Sequence, residues 1–286
     1  MRSIPAEIIG TVILRPYVFA FLLVYLVGCS LQFGVRRAVL FIGAGYLIAW
    51  LSEVSSINNG IPYGYYYYIE ATRGRELWVL GVPFMDSLSY VFLAYAGYSM
   101  AVLVVSPVIR AGGFLYILET MKIRRSIRTA ILGAAFFVYL DIIIDPVALK
   151  GGKWFLGQIY GYPHGGAYFG VPISNFVGWF IVGFAMIYAL QTIDRYLGKD
   201  DLTGLKYPWR FMIGPGLYLA VLIFNLAVTF SIGEYTVAWA GVFIALLPLA
   251  LIISMKKARL SIESVENAVD AHRRDFPQAI VPGFRG

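Results

Sequence analysis

The sequence contains seven apolar stretches of about 20 residues, the length that an α-helix needs to cross the hydrocarbon core of a membrane. Lipid offers the backbone no hydrogen-bond partner, so each stretch must be helical if it spans. Only 14% of the residues are charged, against about 25% in soluble domains. The sequence therefore predicts an all-α, polytopic membrane bundle with about seven transmembrane helices. The predicted spans are Ile13–Phe33, Val39–Ser55, Val82–Val105, Thr129–Ile144, Ile173–Ile193, Phe211–Phe230 and Val237–Met255.

Neither a fixed repeat nor a low-complexity linker divides the chain, which predicts one membrane domain over residues 1–286. The hydrophobic fraction of 59% excludes a soluble nucleotide-binding enzyme, and the single Cys29 excludes an internal disulfide. The net charge of +7 is better explained by positively charged cytoplasmic loops beside anionic lipid headgroups than by binding of nucleic acid. We expect membrane lipids as partners and no nucleic acid, and the sequence does not indicate an oligomeric state.

The positive charges divide unequally between the two ends of the predicted bundle. Side A is defined by the N-terminus and the 2–3, 4–5 and 6–7 connections, and side B by the other connections and the C-terminal tail, 256–286. Side A carries six of the 23 Lys and Arg residues, and side B carries the other 17. Since cytoplasmic loops are enriched in these residues, we expect the N-terminus outside and the C-terminus inside, in the cell membrane. The side A residues are Arg2, Arg15, Arg73, Arg75, Lys150 and Lys153.

On side B, the basic segment Met121–Arg128 is predicted to lie on anionic headgroups. The tail is predicted to hold a short surface helix, with His272 solvated.

Four polar stretches interrupt the apolar background, and the seven-span arrangement brings all four to side A. They end span two, begin span three, end span four and begin span five. Four separate segments that meet at one end of a bundle indicate a functional site there. The stretches run Glu53–Tyr68, Gly81–Asp86, Asp141–Pro146 and Gly170–Trp179.

Four carboxyl groups are the candidate catalytic residues. Asp141 and Asp145 are four residues apart and share one helix face, and Pro146 is expected to end that helix. Glu53 and Asp86 lie near membrane depth on other helices, where a carboxylate normally faces a cavity lined by protein. Buried acids with like-charged neighbours can hold a proton near neutral pH, as a proton donor to an apolar substrate must.

Aromatic residues and one amide are the candidate substrate contacts. Tyr63, Tyr65 and Tyr67 belong either to an interfacial belt or to a wall that stabilises a carbocation through its ring faces. Trp179 has the same two interpretations. Asn175 is expected either to cap a helix or to orient a water molecule or a carboxylate. The lone His164 is not expected to bind metal, and we predict no metal and no cofactor.

These motifs resemble those of the membrane carotenoid 1,2-hydratases. The resemblance is carried, in this order, by Asn-Gly-Ile-Pro-Tyr-Gly at 59–64, Leu-Gly-Val-Pro at 80–83, Asp-x-x-x-Asp-Pro at 141–146 and Gly-Val-Pro-x-x-Asn-Phe-x-Gly-Trp at 170–179. It covers about residues 40–195. The family includes the bisanhydrobacterioruberin hydratase and the γ-carotene or lycopene 1′-hydratases.

The resemblance implies carotenoid biosynthesis by a lyase that adds water across the terminal C1=C2 double bond of a linear carotenoid. Protonation at C2 would leave a tertiary cation at C1, which water captures. The residues themselves, rather than the resemblance, indicate the roles. Asp141 or Asp145 is the expected proton donor and the other holds water, while Glu53 and Asp86 form the alternative or supporting pair. Tyr65 and Tyr67 are expected to line the cation site.

Other functions remain open at this stage. Asp-x-x-x-Asp is also typical of intramembrane prenyltransferases, which use Mg²⁺ and a diphosphate, although this chain has one such motif. A non-catalytic carotenoid or isoprenoid binder, or a transporter with paired acids, is a further alternative. A retinal-binding photoreceptor needs a lysine inside the last span, which holds none before Lys256. The identity of the carotenoid is left open.

Overall fold

The computed structural model describes residues 3–111, 114–197, 209–257, 262–277 and 281. Within this part of the chain, seven helices are long and apolar enough to cross a membrane, which confirms the predicted polytopic bundle. They are all the helices below except the short α1, α5 and α10. The helices are α1 (Ile4–Leu14), α2 (Pro16–Phe33), α3 (Val35–Asn59), α4 (Phe84–Val105), α5 (Met121–Arg124), α6 (Ile127–Ala148), α7 (Ile173–Tyr196), α8 (Arg210–Ser231), α9 (Tyr235–Lys257) and α10 (Ile262–Asp275).

The bundle is built around α4. Five helices surround it, in the order α2, α3, α7, α6 and α8, and α9 packs outside this ring against α8 and α6. Small residues on α4 let its neighbours approach closely, as is usual between membrane helices. A Cβ atom on Gly97 of α4 would lie 2.7 Å from the carbonyl oxygen of Gly133 on α6. The central position of α4 therefore depends on residues without bulky side chains.

Most span boundaries differ from the sequence prediction by a few residues, and two of the differences have a clear physical cause. The first span begins at Pro16, because the chain bends at Arg15 and the preceding residues form the separate α1. The prediction that Pro146 ends the fourth span is wrong, since α6 continues to Ala148. Proline lacks the hydrogen bond that its own nitrogen would donate and crowds the preceding turn, but it does not prevent later residues from bonding. The next turn still closes, with the Leu149 nitrogen donating to the Asp145 carbonyl at 2.9 Å.

The connections at both ends of the bundle contain short paired β-strands. β1 pairs antiparallel with β6, β2 with β3, and β4 with β5. The β2–β3 turn has positive φ angles at both Leu80 and Gly81, as a tight two-residue hairpin requires. The strands are β1 (Tyr67–Tyr68), β2 (Trp78–Val79), β3 (Val82–Pro83), β4 (Val108–Ala111), β5 (Phe114–Ile117) and β6 (Tyr160–Gly161).

At side A, the α3–α4 and α6–α7 connections meet and form a cap over the bundle. The cap is joined by the β1–β6 pairing and by a 2.6 Å hydrogen bond from the Ile69 nitrogen to the Ile159 carbonyl. Arg15, at the bend before α2, forms a buried ion pair with Glu76 at 2.9 Å. The same guanidinium donates to the Leu156 carbonyl. Arg15 therefore fastens both connections to the start of the first span.

At side B, two arginines of the segment predicted to lie on the membrane surface form ion pairs inside the protein instead. Within Met121–Arg128, Arg124 is buried and pairs with Glu119 at 3.0 Å. Arg125 pairs with Asp194 of α7 at 2.7 Å. The prediction that this segment rests on lipid headgroups is thus wrong for these two arginines, because they find carboxylate partners inside the protein.

The predicted helix in the C-terminal tail is present as α10. The prediction that His272 is solvated is wrong. Its side chain is buried, and its Nδ1 lies 2.6 Å from the Glu119 carbonyl oxygen. Several side B charges and Arg2 lie outside the described residues, so the assignment of the two sides to compartments stays a prediction. The side B residues concerned are Lys199, Lys206, Arg259 and Arg285.

Candidate active site

A cavity lies beneath the side A cap, between the ring helices and α4. Its volume is about 120 Å³, and most of its lining is apolar or aromatic. Three of the four candidate acids line it: Glu53 from α3, Asp86 from α4 and Asp145 from α6. The structure therefore brings together carboxyl groups that the sequence separates by up to 92 positions.

Among these acids, Asp145 accepts the most hydrogen bonds from side chains. The hydroxyl groups of Tyr160 and Tyr162 donate to its Oδ1 at 2.6 Å and its Oδ2 at 2.9 Å, respectively. The side-chain amide of Asn175, at the start of α7, donates to Oδ2 at 2.8 Å. Three donors around one buried carboxyl group stabilise its charged form after it has released a proton.

Asp141 lies one helical turn from Asp145, away from the cavity lining. It is fully buried, and its Oδ2 accepts a hydrogen bond of 2.7 Å from the same Asn175 amide. Its Oδ1 has no hydrogen-bond partner among the described residues. Two carboxyl groups this close do not both ionise readily, so the pair is suited to hold one proton between them.

Glu53 and Asp86 form a second acid group on the α3–α4 wall. The Ser87 hydroxyl donates to the Glu53 Oε2 atom. The Tyr68 hydroxyl donates to the Asp86 Oδ2 atom at 2.6 Å. Glu53 is buried, whereas Asp86 is partly exposed. The cavity thus has acids on two walls, each in contact with at least one hydroxyl group.

The tyrosine run after α3 alternates between the cavity and the surface. Tyr63, Tyr66 and Tyr68 line the cavity. Tyr65 and Tyr67 are 60% and 50% exposed and are absent from the lining. The structure corrects this part of the prediction. In an extended segment, neighbouring side chains point to opposite faces, and the sequence alone did not reveal which face was inward.

The inward tyrosines remain neutral hydroxyl donors. Burial raises the pKa of Tyr68, Tyr160 and Tyr162 above the ordinary value, and the nearby acids Asp86, for Tyr68, and Asp145, for the other two, raise it further. Burial likewise raises the pKa of Tyr66. These phenols therefore keep their protons at physiological pH. Tyr68, Tyr160 and Tyr162 donate to carboxyl groups, whereas the Tyr66 hydroxyl donates to the Tyr68 hydroxyl.

Aromatic rings form the wall between the two acid groups. Trp179 stacks on Tyr90 with ring centroids 4.5 Å apart, and both residues line the cavity. Behind them, Phe137 contacts Trp179 at 4.6 Å. The ring of Tyr66 lies 5.3 Å from that of Tyr68 and 6.2 Å from that of Tyr160. The faces of these aromatic rings attract a cation. They are also weaker nucleophiles than a carboxylate.

Several cavity residues were not found from the sequence. Tyr160 and Tyr162 lie in a Gly- and Tyr-rich connection soon after Asp145 in the sequence. Their nearness to the acid pair along the chain could have indicated that they contact it. Asn225 of α8 also lines the cavity, and its Nδ2 atom donates to the Val221 carbonyl of its own helix. An amide inside an otherwise apolar span was a signal that the sequence analysis did not use.

Comparison with protein-family models gives a match to a family described as carotenoid biosynthesis protein, over residues 10–249. The match includes all the cavity residues named above. Neither a search of curated proteins nor a search of solved structures finds a match to this chain.

Proposed function

The chain belongs to the carotenoid biosynthesis protein family, and from this premise we propose that it is a hydratase. The reaction adds water to the terminal C1=C2 double bond of a linear carotenoid and gives a tertiary alcohol. The observation that carries the proposal is Asp145, which lines an aromatic cavity while three side chains donate to its carboxyl group.

Protonation of an alkene requires a strong acid that is still protonated when the substrate arrives. The close Asp141 supports the second condition, since two adjacent buried carboxyl groups retain a proton between them. Tyr160, Tyr162 and Asn175 support the first, because they stabilise the carboxylate that remains after transfer. Asp145 is the proton donor in this scheme, since it faces the cavity, and Asp141 is its proton-sharing neighbour.

The cation at C1 must be shielded until water reaches it. The rings of Tyr66, Tyr90 and Trp179 offer electron-rich faces for this purpose. Glu53 and Asp86, which line the cavity from α3 and α4, are the groups we assign to the water molecule. One of them holds the water and accepts its proton as the new C–O bond forms. Return of this proton from the accepting carboxylate to Asp145 restores the donor, so that one water molecule is consumed and no electrons are exchanged.

The test is expression in a bacterium that accumulates lycopene, followed by chromatography and mass spectrometry of the pigments. We expect a pigment heavier by one water molecule. The Asp145→Asn variant should lose this product, whereas Asp270→Asn, a change at an exposed residue of α10, should keep it. Equal yields from both variants would contradict the assignment of Asp145. A prenylated product that depends on Mg²⁺ and a diphosphate would contradict the hydratase itself.

A further inference from the structure

Five aromatic side chains outside the acid groups form a continuous cluster where α2, α8 and the α6–α7 connection meet. Tyr17 stacks on Phe224 at 5.5 Å, and Phe21 meets the same ring edge-on at 5.7 Å. Trp154 contacts Phe224 at 6.4 Å and Phe155 at 5.0 Å. We call these five residues the aromatic cluster. None of them belongs to the motifs that pointed to the acids.

The aromatic cluster connects the cavity with the outer surface of the bundle. Tyr17, Phe21, Trp154 and Phe224 line the cavity and are partly exposed. Phe155 is 59% exposed and touches the Tyr17 ring at 5.6 Å. A path along these rings therefore leads from the side of the bundle to the space in front of Asp145.

Among the residues that the structure describes, polar contacts close the side A end. There the β1–β6 pairing joins the two connections, and the Arg15–Glu76 ion pair ties them to the start of α2. An extended apolar molecule would have to break these buried polar contacts to enter from that end. Leaving the Arg15 charge buried without its partner would be strongly unfavourable. Between α2 and α8, by contrast, the lining is mostly aromatic and aliphatic, and the amide of Asn225 is bonded to its own helix.

We propose that the aromatic cluster is a lateral entrance, through which the conjugated chain of the substrate passes from the bilayer to the acids. The inference rests on the proposed function for the identity of the occupant, a linear polyene. During the reaction the reactive end lies at Asp145, and the chain extends between α2 and α8 into the lipid. Rings in edge-on and stacked contact can shift by small rotations, and a flat polyene can replace one ring as a stacking partner.

A reversible cross-link across the entrance tests this route. Phe21 and Phe224 are replaced by cysteine and joined with a short bis-methanethiosulfonate reagent, which a thiol reductant removes. The native Cys29 is fully buried, and the unsubstituted protein treated in the same way shows any effect of the reagent on it. We expect cross-linking to slow lycopene hydration in liposomes by about 10-fold or more, with recovery of the rate after reduction.

The matched control joins α8 to α9 instead. Phe230 and Trp239 have ring centroids 5.5 Å apart, and neither lines the cavity. The Phe230→Cys/Trp239→Cys protein should hydrate lycopene equally fast before and after reduction. An undiminished rate in the cross-linked Phe21→Cys/Phe224→Cys protein would overturn the lateral entrance and leave the hydratase proposal standing.

Binding of the polyene can be measured without turnover. A failure of the lateral entrance can therefore be distinguished from a failure of the hydratase proposal. Quenching of tryptophan fluorescence by lycopene reports arrival of the polyene. Slower quenching in the cross-linked protein supports the entrance even if no hydrated product forms, and equal quenching overturns it.

A single exposed residue gives a second test that does not depend on cross-linking. Phe155→Ala should raise the half-saturating lycopene content of the liposomes about 3- to 10-fold, because one aromatic contact of the entering chain is lost. The maximal rate should remain. Phe243→Ala on α9, where the ring is 70% exposed, is the control and should change neither quantity. Identical half-saturation in the two variants would exclude Phe155 from the entrance.

Discussion

Asn175 of α7 donates a hydrogen bond of 2.8 Å to Asp145 of α6, and the same amide donates to Asp141 at 2.7 Å. One side chain thereby holds both acids of the Asp-x-x-x-Asp-Pro motif in place. The two motifs that contribute these residues are 30 positions apart in the chain. Their meeting in one buried cluster is the structural basis for assigning the proton donor.

Replacement of Asn175 should harm both activity and stability. Asn175→Leu removes the shared donor, and two buried carboxyl groups lose a hydrogen bond. We expect the hydration rate to fall at least 10-fold and the free energy of unfolding to fall by about 1–3 kcal/mol. Pigment analysis and thermal unfolding in detergent measure the two effects. Asn58→Leu, at an exposed amide near the end of α3, is the control. Equal activity in the two variants would contradict the role of Asn175.

The two faces of the tyrosine segments should differ in importance. Tyr160→Phe removes one donor to Asp145, and its loss should slow hydration about 10- to 100-fold, since hydrogen bonds to charged groups contribute about 1.5–3 kcal/mol. Tyr67→Phe changes an exposed ring on the paired strand and should leave the rate unchanged. The measurement is the initial rate with lycopene in liposomes. A larger loss in Tyr67→Phe than in Tyr160→Phe would contradict the inward and outward assignment.

These tyrosines also show where sequence reasoning reached its limit. Apolar length predicted the seven spans, and the position of the motifs at the ends of these spans predicted that the acids meet at one end of the bundle. The direction in which each ring of Tyr63–Tyr68 points depends on pairing with Tyr160–Gly161, nearly 100 residues away. A contact between distant segments leaves no local periodic pattern, so Tyr66, Tyr68 and Tyr160 could not be separated from Tyr65 and Tyr67.

The same limit explains the side B corrections. Arg124 and His272 are polar residues in basic segments, and such residues usually face water. Here Glu119 supplies a carboxylate to Arg124 and a carbonyl oxygen to His272. The sequence shows neither that these three residues meet nor that α10 covers them.

Docking of α10 should weaken in acid. Burial lowers the pKa of His272, and the nearby Arg210 and Arg124 charges lower it further. The docked helix therefore prefers neutral histidine, while an undocked His272 takes up a proton near its ordinary pKa of about 6.5. The stabilisation is complete above that value and is lost as the pH falls through it towards the lower pKa of the docked state.

A spin label at Glu266→Cys, an exposed position on α10, reports this change. Its mobility should rise between about pH 7.5 and about pH 5.5. In a protein that also carries His272→Phe, the mobility should not depend on pH over this range. Equal pH dependence in both proteins would show that His272 is not the group responsible.

Close contact between α4 and α6 should make Gly97 intolerant of larger residues. A Cβ atom there would meet the Gly133 carbonyl oxygen at 2.7 Å, whereas one at Gly43 of α3 would have nothing within 4 Å. We expect Gly97→Val to lower the free energy of unfolding by about 1–3 kcal/mol through overpacking. Gly43→Val should change it much less. Thermal unfolding in detergent compares them, and equal destabilisation would contradict the packing described for α4.

The central claim is that the acids add the elements of water to a polyene. The most direct test uses purified protein in lycopene liposomes, prepared in water enriched in both deuterium and heavy oxygen. We predict a product that carries one heavy oxygen and one carbon-bound deuterium, and no such product from Asp145→Asn. A product that gains no solvent oxygen, or a failure to hydrate both lycopene and other linear carotenoids in the presence of folded protein, would contradict the account.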